Sequence, residues 1–117
     1  MNKTSILVAC EDSTLRKVYA HQMRILGADV REVRTADEAL AQTHSASFDR
    51  VICTERLGDT GGEETLRRIS LVNEEAERIL LGDSPSAWAN RTIAAPFDFD
   101  TLKTLTGDRS TGTRRAG

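Results

Sequence analysis

The sequence predicts an α/β domain built on a five-stranded, doubly wound parallel sheet. Two observations carry that expectation. The apolar runs Ile6-Leu7-Val8-Ala9-Cys10, Val51-Ile52-Cys53 and Ile79-Leu80-Leu81 are continuous rather than alternating, as strands covered on both faces require. Segments of helical periodicity lie between the runs, so strand and helix alternate five times along the chain. Parallel neighbours need right-handed crossovers, and the natural strand order is 2-1-3-4-5.

The first strand runs from about Ser5 to Cys10, and Glu11-Asp12-Ser13 then supplies acids and a capping hydroxyl. Thr14 to Leu26 carries Leu15, Val18, Tyr19, Met23 and Leu26 at helical spacing, and Gly27 stands where a C′ glycine ends a helix. A short strand covers Asp29 to Val33. Thr35-Ala36-Asp37-Glu38 reads as a capping box that opens a helix through Thr43. Phe48 to Cys53 is the third strand. Gly58-Asp59-Thr60-Gly61-Gly62 reads as a flexible loop, because it lacks the lysine and the spacing of a phosphate loop.

Glu63 to about Val72 is the next helix, with Leu66, Ile69 and Val72 inward, and Arg78 to Leu81 the fourth strand. Gly82 to Arg91 is loop-like, with Asp83-Ser84-Pro85 as turn chemistry and a turn or two of helix at most. Thr92 to Ala94 gives a weak last strand. Asp98 caps a final helix, Phe99 to Thr106, with Leu102 and Leu105 inward. The domain is expected to span 1–107. Residues 108–117 have no apolar anchor and are expected to form a disordered tail.

Composition narrows the function classes. A chain of 117 residues matches one domain, and a formal charge of −2 gives no field that points to nucleic acid or membrane as the main partner. No stretch is long enough to span a bilayer, and the N-terminus lacks the blocks of a signal peptide, so the cytoplasm is the expected compartment. Cys10 and Cys53 each sit inside an apolar run and read as small buried residues in a reducing compartment. His21 and His44 have no metal-ligand partner at recognisable spacing, so neither a metal nor a cofactor is expected.

Ligands of open α/β sheets bind beyond the carboxyl ends of the strands. Here those ends carry Cys10-Glu11-Asp12, Thr54, Gly82 and Ala95: two acids, a hydroxyl, a thiol and two residues with no functional group. That set fits a binding scaffold better than a catalyst. The pieces ILVACEDSTLRK, LGADV, ADEAL, FDRVIC, RILLG and APFDFDTL, in that order and spacing, make the chain from about Ser5 to Thr106 resemble a response-regulator receiver domain of the chemotaxis-regulator type.

The resemblance implies the flavodoxin-like receiver fold with a shortened fourth helix. Receivers carry two acids after the first strand, an aspartate acceptor after the third, a Ser/Thr after the fourth and a Lys-Pro pair after the fifth. Matched position by position, the acid pair falls on Cys10 and Glu11, the acceptor on Thr54, the hydroxyl on Gly82 and the lysine on Ala95, with Pro96 and Phe97 retained. Magnesium prefers hard oxygen ligands, and acyl-phosphate chemistry needs a carboxylate nucleophile and groups that steady the phosphoryl oxygens.

The expected protein is therefore a pseudo-receiver without enzymatic activity. It would be a phosphorylation-independent interaction module in bacterial signalling or regulation, with a signalling protein or a second copy of itself as partner. In receivers the face of the fourth helix, fifth strand and fifth helix carries such contacts, which makes Trp88, Pro96, Phe97 and Phe99 the candidate partner residues. Loss of most of a helix is expected to bare apolar surface there, with Trp88 either sealing the gap or anchoring a partner. Two alternatives stay open: a thiol redox sensor using Cys10 and Cys53, and an atypical receiver that keeps its chemistry on Glu11, Asp12 and Glu55.

Overall fold

The structure is a computed structural model that describes residues 3–83, 85–94 and 99–107, at Phe99 the backbone alone. The elements are β1 (Ser5–Ala9), α1 (Ser13–Ile25), β2 (Asp29–Val33), α2 (Ala36–Ser45), β3 (Arg50–Thr54), α3 (Gly62–Val72), β4 (Glu77–Leu81), β5 (Arg91–Ile93) and α4 (Phe99–Thr106). All four strand pairings are parallel, and the order is β2-β1-β3-β4-β5. This is the expected architecture. The Asp98 cap and the tail at 108–117 lie outside the described residues.

Strand alternation splits the core into two layers. Ile6, Val8 and Cys10 join Ile52, Ile79 and Leu81 against Tyr19, Ala20 and Met23 of α1 and Leu102 and Leu105 of α4. Leu7, Ala9, Val51, Cys53 and Leu80 face the other way, against Ala36 and Ala39 of α2 and Leu66 and Ile69 of α3. No described helix is long and apolar enough to cross a membrane.

Local details depart from the sequence reading in instructive ways. The cap of α1 is the Asp12 carboxylate, which accepts from the Thr14 and Leu15 amides at 2.9 and 3.1 Å, and not the Ser13 hydroxyl. The helix ends as expected, with Gly27 at φ 101° and the paired bonds Gly27 N–H to Arg24 O and Ala28 N–H to Met23 O. Its buried face is Arg16, Tyr19, Ala20 and Met23, so Leu15 and Val18 point to solvent. Arg16 displaces them because its guanidinium finds the Cys10 carbonyl at 2.9 Å and Glu32 at 3.5 Å, while its stem packs inward. In α3 the inward residues are Leu66 and Ile69, and Val72, in the last turn, is exposed.

The 82–90 connection contains no helix among its described residues. Parallel pairing of β4 with β5 is instead held by a reciprocal bond, with Asn90 N–H donating to Arg78 O at 2.7 Å and Arg78 N–H to Asn90 Oδ1 at 2.6 Å. At this same end of the sheet lies a charge cluster around the buried Arg50. The Arg50 guanidinium bonds Glu77 at 2.8 Å and the Leu105 and Gly107 carbonyls at 2.6 and 2.7 Å, clamping the end of α4. Arg91 holds the other Glu77 oxygen at 2.9 Å.

Candidate functional site

The carboxyl ends of β1, β3 and β4 bring together Cys10, Thr54 and Gly82, with Glu11 and Glu55 in the adjoining turns. Most of the polar groups there already have partners. Glu11 Oε1 accepts the Gly58 amide at 2.5 Å. The 58–62 segment, expected to be a flexible loop, is thus tied to the end of β1, and the neighbouring Leu57 is buried. Asp12 caps α1. The Thr54 hydroxyl donates to the Arg56 carbonyl at 2.8 Å, and Thr54 also interacts with the Cys10 thiol.

Gly82 is buried, and its amide donates to the Ile93 carbonyl at 3.0 Å. The Glu55 side chain lies across it, so that a Cβ at this position would collide with the Glu55 carboxylate. The space a hydroxyl-bearing residue would use is therefore filled from β3's following turn. Among the described residues no three His, Cys, Asp or Glu side chains form a group suited to hold a metal ion. Ala95, Pro96 and Phe97 lie outside the described residues, as does the Phe99 side chain.

The two cysteines do not meet. The residue opposite Cys53 is Ala9, and the thiols belong to the two separate core layers on opposite faces of the sheet. Burial pushes the Cys53 thiol up to about 12, with the nearby Cys10 adding to the rise. Burial also raises Cys10, against smaller opposing effects from its bond to the Asp12 backbone and from Thr54. Neither is a ready thiolate. Cys53→Ala is expected to cost roughly 1–3 kcal/mol of stability through lost packing. A thiol-reagent time course on the folded protein should show both sulfurs protected until the chain unfolds.

The loop that replaces a helix is held by its own polar bonds. The Trp88 amide donates to Ser86 Oγ at 3.1 Å, Ser86 Oγ donates to Glu63 at 2.6 Å, and the Trp88 carbonyl accepts from Arg78 Nε at 2.8 Å. The Trp88 residue is 42% exposed and belongs to neither core layer; Ala89 is the loop residue that packs inward. Among the described residues the expected bare apolar strip does not occur. Leu80 is buried, and Arg78 and Thr92, beside it on that face, are polar and half-buried. Glu55, Glu63, Leu80, Pro85 and Ser86 line a shallow cleft next to this loop.

Sequence reasoning missed three of these contacts: Glu55 over Gly82, Arg16 on the Cys10 carbonyl, and Glu11 on the Gly58 amide. A glycine at a strand end directly after a buried run was the one signal available for the first. The other two depend on side-chain reach across the strand ends.

No protein-family model and no curated protein matches the sequence. Solved structures do. A CheY-like receiver domain protein from Methanospirillum hungatei superposes with a TM-score of 0.86 at 18% identity, over 99% of this chain and 100% of that one. The chemotaxis protein CheY4 of Vibrio cholerae gives 0.80 at 22%, over 89% and 97% of the two chains. A response regulator of Burkholderia pseudomallei, solved with a phosphorylated aspartic acid and a calcium ion, gives 0.78 at 17%, over 97% of this chain and 72% of that one. The fold is the flavodoxin-like fold of CheY-like receiver domains.

Proposed function

We propose that the chain is a phosphorylation-independent, receiver-like module that acts through protein–protein contact in bacterial signal transduction or regulation. One observation carries this reading. At the strand ends where receivers hold their phosphoryl chemistry, this chain presents a threonine whose hydroxyl is given to a backbone carbonyl and a glycine covered by the Glu55 side chain. The position of the receiver lysine is Ala95. An acyl phosphate needs a carboxylate nucleophile with cations and donors around it, and this pocket supplies neither the nucleophile at Thr54 nor the donor at Gly82. The placement of the thiols on opposite faces gives no support to a redox pair.

The partner surface we assign is the segment around Trp88, with Pro96, Phe97 and Phe99, which follow it in sequence, as further candidates and a signalling protein or a second copy as occupant. Trp88 supports this assignment because its ring stands out from the core while bonds at Ser86 and Arg78 fix its backbone, which lowers the ordering cost on binding. Trp88→Ala is expected to weaken partner capture by roughly 2 kcal/mol, about thirtyfold, and to change the melting temperature little. Its emission should be red-shifted and open to a soluble quencher. A blue-shifted, protected emission together with a sharply lowered melting temperature would make Trp88 a plug and remove it from the interface.

A further inference from the structure

We infer that the cleft beside the Trp88 loop receives an arginine side chain from a partner signalling protein. The inference rests on reading the Trp88 loop as the partner surface, and it names what that partner must present. Glu55, in the turn after β3, and Glu63, in the first turn of α3, stand on the walls of the cleft. Leu80 and Pro85 give it apolar sides, and Ser86 ties it to the loop. Ser86 Oγ donates to Glu63 Oε2 at 2.6 Å and accepts the Trp88 amide at 3.1 Å, so cleft and loop form one surface. The volume of about 210 Å³ lies below the range of sites for small molecules and cofactors and suits a single side chain.

Charge selects that side chain. Among the described residues the ion pairs are made by Glu32, Glu64 and Glu77, and neither Glu55 nor Glu63 has a cation beside it. A first-turn position, where a helix favours an acid, accounts for Glu63. Nothing in the fold asks the same of Glu55, whose side chain lies over Gly82 without an ion pair among the described residues. A divalent cation would find only two carboxylates here and would gain nothing from Leu80 and Pro85. Lysine brings one point charge. The planar guanidinium brings five donors, enough for both carboxylates, and weakly hydrated faces that suit the apolar sides. A second copy meeting this cleft across a two-fold axis would set the same acids against each other.

The test titrates the full chain with short synthetic peptides that differ only at one central position: arginine, lysine, or citrulline, the uncharged counterpart of arginine. The arginine peptide should bind and shift the amide resonances of Glu55, Glu63, Ser86 and Trp88. Citrulline should weaken binding at least about tenfold, and lysine about threefold. Glu55→Gln and Glu63→Gln preserve the shape of the cleft, and glutamine at 63 still accepts from Ser86. Each should weaken the arginine peptide about fivefold and leave the melting temperature unchanged. Asp37→Asn, at an exposed acid of α2, should not affect binding. Equal binding of the peptides, or glutamine variants that bind like the parent, would overturn the inference. So would the same shifts produced by calcium chloride alone, or self-association that the glutamine variants abolish. Trp88→Ala removes a ring these peptides do not need and should change their affinity less than about twofold. Arginine binding that persists while Trp88 proves a plug would therefore remove the Trp88 surface and not the arginine site, and peptides that bind alike to a chain with an exposed Trp88 would remove only the arginine site.

Discussion

Arg50→Met is expected to lower stability by about 3 kcal/mol and the melting temperature by about 12 °C for a domain of this size. The residue is only 6% exposed, and its guanidinium serves Glu77 together with the carbonyls of Leu105 in α4 and of Gly107 just after it. Methionine keeps most of the stem volume and removes every donor. The Leu105 carbonyl then loses the Arg50 donor, the Gly107 carbonyl keeps only the Thr4 hydroxyl at 3.1 Å, and the Glu77 carboxylate keeps only Arg91 among the described residues.

Acid makes the same point with a definite sign. Burial alone would raise Glu77, yet the bonds from Arg91 and Arg50 hold it below its ordinary value of 4.5. A depressed carboxylate contributes stability that is present above 4.5 and is lost as pH falls through the folded value. The parent should therefore lose stability below about pH 4.5, and Arg50→Met should lose less over that window. A variant that melts within about 2 °C of the parent would show that the clamp contributes nothing.

Gly62→Ala carries the second large effect. A Cβ at this first residue of α3 would collide with the Thr54 carbonyl, and the Leu80 side chain leaves no room beside it. The obstacle is backbone at the end of β3, so α3 must move away and break the Gly62 amide bond to the Glu55 carbonyl, 2.8 Å long. The expected cost is about 3 kcal/mol. Gly82→Ala is the contrast: its obstacle is the end of the flexible Glu55 side chain, which can swing aside, and the expected cost is under about 1 kcal/mol. Parallel melts of the two variants check this difference, and equal melting temperatures would contradict it.

Strand order was legible because continuous apolar runs and capping signals are local features that agree with the global fold. Thr35 caps α2 through the Glu38 amide at 3.1 Å, and Gly27 closes α1, both as the sequence indicates. The inward faces were less legible. Leu15 and Val18 satisfy a helical period as well as Tyr19 and Met23 do, and only the polar partners waiting for Arg16 and the sheet beneath decide between them. Arg50 shows the same limit, since nothing local marks its role and the carbonyl it bonds comes from a helix end 55 residues away. At the candidate site the identities at Cys10, Thr54 and Gly82 were readable, but not the side chains that occupy them. Glu11 and Glu55 read as free acids, and the fold turns one to an amide and lays the other over a glycine.

The central claim is that this pocket does no phosphoryl chemistry. Its most direct test is the intact mass of the full chain after incubation with acetyl phosphate and magnesium. The account predicts an unchanged mass, because Thr54 offers no carboxylate and Glu55 fills the space over Gly82. A labile phosphoryl adduct on Glu11, Asp12 or Glu55 would contradict it and make the chain an atypical receiver.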